Sequence, residues 1–109
     1  MLSIWHVKNT EEARERKLSF EFGEGDAPRF PEDYTLVARI ESSSDLDEGY
    51  RLTNHIDRPW FQNAAVEVLQ HSRSTSMGDV LVVDHEEAFR VVRAGFETIE
   101  KGPHLRLAD

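Results

Sequence analysis

Residues 71–99 read HSRSTSMGDVLVVDHEEAFRVVRAGFETI, and the order of residue types predicts a loop feeding a β-meander. Gly78 and Asp79 punctuate the chain, and Val80-Leu81-Val82-Val83 is a β-branched run of strand length. Asp84 to Glu87 are polar, as a turn requires, and Phe89, Val91 and Val92 resume the strand pattern. Gly95 permits one more bend before Phe96 and Ile99. A meander with its hydrophobic face turned inward needs further strands or a helix to cover it, so the rest of the chain is read for those.

Upstream, Leu2, Ile4, Trp5, His6 and Val7 predict an opening strand near the sheet centre, because both of its faces carry apolar residues. Asn9 and Glu12 have the spacing of a capping box, and Glu12 and Arg16 that of an i,i+4 pair, which predicts a short exposed helix to Lys17. Leu18, Phe20 and Phe22 alternate with Ser19 and Glu21, the period of a half-buried strand ending at Gly23. Gly23 to Asp33 is expected to be a loop. Tyr34, Leu36, Ala38 and Ile40 share one face of a strand to Glu41, with Val37 interrupting the polar side. Ser44 as N-cap and an acidic first turn at Asp47 open the main helix, about 45–55, and Pro59 keeps it from continuing. Trp60-Phe61 is a bulky apolar pair suited to plug one end of the core, and Val66, Val68 and Leu69 form another short strand. The expectation is α+β: a single domain over 1–109, a mostly antiparallel sheet with a C-terminal β-meander, and one main helix. Trp5, Leu36, Ile40, Trp60, Leu81, Val83, Val91 and Phe96 are the expected core.

The chain has 109 residues, no cysteine and no apolar run near the roughly 20 residues that cross a bilayer. Thiolate chemistry and cysteine-held metals are thereby excluded, and an unprocessed protein of the reducing cytoplasm, away from membranes, is expected. Its formal charge is -8, unevenly placed: residues 1–19 carry +1, residues 20–50 carry -7 and residues 51–109 carry -2. Such a surface disfavours direct binding to nucleic-acid phosphates unless the arginines cluster on one face, and suits a protein partner with a basic surface.

The five histidines (His6, His55, His71, His85 and His104) show no metal-ligand spacing, so no metal and no cofactor are expected. Asp45, Asp47 and Glu48 lack the glycine and distal glutamate of a calcium loop and read as the acidic start of a helix. His55 and Asp57 could align as an acid–base pair, but no nucleophile accompanies them and no catalytic residue is assigned. Arg73, Ser74, Thr75 and Ser76 combine a guanidinium fork with three hydroxyls and could hold a phosphate or carboxylate. The spacing is not that of a P-loop, and a strand follows instead of a helix. A structural reading is also open, with Asp79 accepting from amides and pairing with Arg73.

Arg73-Ser74-Thr75-Ser76-Met77-Gly78-Asp79-Val80, with Gly95-Phe96 some 15 residues later, resembles a segment of small phage, plasmid and bacterial proteins that include YodL-like domains. In these an RS-x-S-x-GD-V loop leads into two strands and a Gly-Phe. The similarity covers about 30 of the 109 residues, and Met77 stands where valine is more usual. It implies an accessory protein of mobile-element origin and transfers no activity.

Two functional classes follow. One is a non-enzymatic acidic interaction module, whose carboxylates Glu21, Glu24, Glu32, Asp33, Asp45, Asp47 and Glu48 dock on a basic or nucleic-acid-binding protein. The other is a small-ligand binding or catalytic domain built on Arg73 to Ser76, with help from His55 or His71.

Overall fold

The structure, a computed structural model, describes residues 1–54 and 59–101. Its elements in chain order are β1 (Leu2–Val7), α1 (Glu11–Glu21), β2 (Tyr34–Ile40), α2 (Leu46–Leu52), a 3-10 turn (Trp60–Gln62), β3 (Glu67–Val68), β4 (Val80–Val83), β5 (Glu87–Val92) and β6 (Gly95–Lys101). The six strands form one sheet in the order β3-β2-β1-β4-β5-β6, antiparallel at every pairing. This is the expected α+β architecture, and β4-β5-β6 is the expected meander. Asp84 and His85 take positive φ at the β4–β5 turn (50° and 59°), the twist that matches two antiparallel strands.

β1 is buried along its whole length, and its side chains alternate between two cores. Leu2 and Ile4 pack with Val37, Ala38, Ile40, Trp60, Val66, Leu81 and Val91, beneath Leu46 and Tyr50 of α2. Trp5 and Val7 pack on the other face with Tyr34, Val80, Val82 and Ala88, beneath Ala13 of α1 and Phe30. Ile4 pairs with Ala38 but Trp5 with Leu36, so Val37 is an extra residue on β2. That bulge gives Val37 and Ala38 to the same core and explains why Val37 breaks the alternation. Of the expected core, Trp5, Ile40, Trp60, Leu81 and Val91 are buried, whereas Leu36, Val83 and Phe96 are half-buried at its margins.

Three local expectations are corrected. Leu18, Phe20 and Phe22 are not a strand: α1 runs through Leu18 and Phe20 and is capped at Phe22, since the residues from Glu11 to Leu18 are good helix formers and carry the helix on through them. Gly23, φ 72°, ends it, with its N–H donated to Phe20 O and that of Glu24 to Ser19 O, the two closing bonds of a Schellman cap. Thr10, not Asn9, caps the N-terminus by accepting from Ala13 N, and Arg16 pairs with Asp33 instead of Glu12. The expected main helix is shorter, Leu46–Leu52, and Asp45 rather than Ser44 is its N-cap, because Ser44 Oγ donates instead to Asp84. The expected helical end at 55 and the His55–Asp57 pair lie outside the described residues, as does His104. Among the described residues no helix is long and apolar enough to cross a membrane.

Candidate functional site

Asp79 is fully buried (0 % exposed), and a carboxylate there must be surrounded by donors. It accepts four hydrogen bonds: from Arg73 Nη1 at 2.5 Å and Nη2 at 2.9 Å, from Ser76 N at 2.8 Å and from Val7 N at 3.0 Å. The fork fixes the guanidinium, and the Val7 bond ties the loop to β1. Trp60 holds the same loop from the other core, its Nε1–H shared between the carbonyls of Ser72 (3.0 Å) and Arg73 (2.8 Å).

His6, 2 % exposed, provides the third anchor. Its Nδ1 lies 2.8 Å from Ser72 Oγ and its Nε2 lies 2.8 Å from Thr75 Oγ1. Thr75 Oγ1 is in turn 2.7 Å from Thr53 Oγ1, which donates to Gly49 O at 2.8 Å. A carbonyl can only accept, so the direction of the whole chain is set from that end. Thr53 gives its proton to Gly49, Thr75 gives its own to Thr53, and His6 donates from Nε2 to Thr75. Nδ1 is therefore bare and accepts from Ser72. Burial drives the His6 pKa down to about 4, against the pull of Asp79, whose Oδ2 is 3.9 Å from Nε2. The imidazole is neutral at pH 7.

These anchors leave one side of the loop facing a cleft of about 500 Å³, within the range typical of small-molecule sites. The end of β1 contributes Lys8 and Asn9, α1 contributes Arg14 and Lys17, and the loop after β3 contributes Gln70, His71, Ser72 and Arg73. Arg14 and Lys17 share a helix face because they are three residues apart. Four cations and, among the described residues, no carboxylate line this cleft, in a chain whose formal charge is -8. Lys17 is paired with Glu21 and Arg73 with Asp79, whereas Lys8 and Arg14 have no ion-pair partner among the described residues. At the mouth, the exposed ring of His71 is stacked on Phe61, with centroids 4.1 Å apart and planes at 15°.

The residues singled out in the sequence are only partly brought together. Arg73 lines the cleft, but Thr75 is 1 % exposed and spends its hydroxyl on His6 and Thr53. Ser76 accepts from Arg73 and gives its N–H to Asp79, and Ser74 uses its carbonyl to accept from Arg73. None of Ser74, Thr75 and Ser76 is among the residues that line the cleft. The acidic residues fall into two groups across the sheet: Glu21, Glu24, Glu32 and Asp33 beside α1, and Asp45, Asp47 and Glu48 in or next to α2. Some are already occupied. Asp33 accepts from Arg16 and from Arg29 N; burial opposes its charge, but these two donors outweigh burial and hold its carboxyl below the usual range. Asp45 accepts from the N–H groups of Asp47 and Glu48.

Lys8, Arg14, Lys17, Ser72 and His6 were missed as site residues. One signal was present: residues 1–19 are the one of the three charge windows with a net positive charge. Among the described residues no group of three histidines and carboxylates is placed to hold a metal. Set against models of protein families, curated proteins and solved structures, the chain matches none of them.

Proposed function

We propose that this chain binds a small anion, a phosphate or carboxylate compound, in the cleft between α1 and the loop after β3. The observation that carries this reading is the local charge: four cations and no described carboxylate line a cleft of ligand size, and two of the four, Lys8 and Arg14, have no ion-pair partner among the described residues, in a strongly acidic protein. The reading keeps Arg73 as a ligand-facing residue and replaces the three hydroxyls with Lys8, Arg14 and Lys17.

Binding fits the geometry better than turnover does. Ser72 and His6 form a hydroxyl–imidazole contact of the kind that activates a nucleophile. A useful general base has a pKa near the working pH, and His6, at about 4, is roughly three units too weak at neutrality. Its bonds to Ser72 and Thr75 hold the cleft wall in place.

Calorimetric titration with inorganic phosphate and citrate at low salt tests the reading. The parent is expected to bind, and a Lys8→Gln/Arg14→Gln double variant to lose at least about tenfold in affinity, which is about 1.4 kcal/mol. Arg51→Gln, an exposed cation on α2, serves as control and should change nothing. Equal affinity in the parent and the double variant rules the cleft out.

A second reading is supported by Phe22 and Leu18, 71 % and 54 % exposed at the acidic end of α1. Large exposed apolar side chains rimmed by Glu21 and Glu24 suit a protein partner with a basic and partly apolar surface. This is the acidic-module expectation reduced to the α1 side, and the mobile-element origin and a cytoplasmic setting belong with it. Capture from lysate that weakens at high salt, and is lost when Glu21, Glu24 and Glu32 become Gln, supports it. Capture indifferent to those changes removes it.

A further inference from the structure

Resting on the anion-binding reading, the geometry points to a nucleoside monophosphate as the ligand, its phosphate on Lys8 and Arg14 and its base stacked on the ring of His71. Three independent features lead there.

The first is charge. With Lys17 committed to Glu21 and Arg73 to Asp79, the cleft presents two positive charges, Lys8 and Arg14, that have no ion-pair partner among the described residues. A terminal phosphate monoester carries about -1.5 to -2 at pH 7, which matches them; a di- or triphosphate would leave charge unmatched.

The second is the ring. His71 lies in the cleft wall and is exposed, while Phe61 covers one of its faces. Phe61 in turn meets the buried Trp60 edge to face, with centroids 5.8 Å apart at 79°, and Trp60 is hydrogen-bonded to the backbone next to His71. The platform is therefore held in place before any ligand arrives. Aromatic platforms of this kind take bases of any sequence, since every base has a π-face.

The third is the neutral edge. Asn9 and Gln70 line the same cleft and each offers a donor and an acceptor without charge, which suits the polar edge of a base. A purely inorganic anion would have no use for either the ring or the amides.

The test compares adenosine 5′-monophosphate, ribose 5-phosphate and inorganic phosphate by calorimetry on the full chain. The parent should bind the nucleotide at least about tenfold tighter than ribose 5-phosphate. His71→Ala should abolish that difference and leave ribose 5-phosphate binding unchanged, and His71→Phe, which keeps a ring, should restore it. Lys8→Gln/Arg14→Gln should weaken both ligands. If the parent binds the nucleotide and ribose 5-phosphate equally, or His71→Ala weakens both alike, the base platform is overturned while anion binding stands. If none of the three phosphates binds, both readings fall together.

Discussion

His6 sits where a positive charge is costly, and its hydrogen bonds are arranged for the neutral ring. Its pKa is about 4 in the folded protein and 6.5 in the unfolded chain. Between those values the unfolded chain takes up a proton that the folded protein refuses, so stability is complete above pH 6.5 and falls as the pH drops towards 4. A shift of this size is worth about 3 kcal/mol. Urea denaturation at steps from pH 7.5 to 4.5 should show that decline, and the His6→Gln protein should show a much flatter profile. A profile equally steep in both would place the sensitivity elsewhere; Asp33 and Asp84, held below the usual carboxylate range, titrate beneath this window. Nothing in the sequence marked His6 for this role. Its partners Ser72 and Thr75 are 66 and 69 residues away, and neighbouring residues give no hint of such a pairing.

At the scale of elements, α2 lies close to the sheet because Gly49 has no side chain. A Cβ there would stand 2.6 Å from Leu2 Cδ1 and 3.1 Å from Leu81 Cδ2, so these two fully buried side chains would have to shift. Gly49→Ala should gain about 1 kcal/mol of helix propensity and lose about 1 to 3 to overpacking, a net destabilisation of about 1 kcal/mol by chemical denaturation. A more stable Gly49→Ala protein would show that the helix can lift without cost. The meander was legible because its signals are local: β-branched runs separated by polar turns and a glycine. α1 was misread beyond Lys17 because Leu18, Phe20 and Phe22 mimic a strand period. The discriminating signal was the helix-forming run before Leu18, since Gly23 closes a helix as readily as a strand. Leu18 and Phe22, four residues apart, both face solvent, so the helix exists without an apolar stripe there to announce it.

For the whole molecule, the sheet separates what the sequence treats as continuous. The acidic window from 20 to 50 crosses from one face to the other, and its carboxylates never form a single surface, whereas cations from two distant segments meet in one cleft. Fold class followed from patterns a few residues long; the cleft did not, because its walls depend on which face of β1 each segment covers. That strand has a further consequence. Since Leu2 and Ile4 serve one core while Trp5 and Val7 serve the other, the two cores share a backbone and few side-chain neighbours. Free-energy changes should then add across the sheet. Ile40→Val and Val7→Ala, at opposite ends of the β1–β2 pairing and in different cores, should combine in the double variant to within about 0.5 kcal/mol of their sum. Ile40→Val with Ile4→Val, in one core, should depart from additivity if those side chains share the space between them. Drift on the α2 side would then reach the cleft through few links, Trp60 and the Thr53–Thr75–His6 chain, a modularity with no domain boundary to mark it.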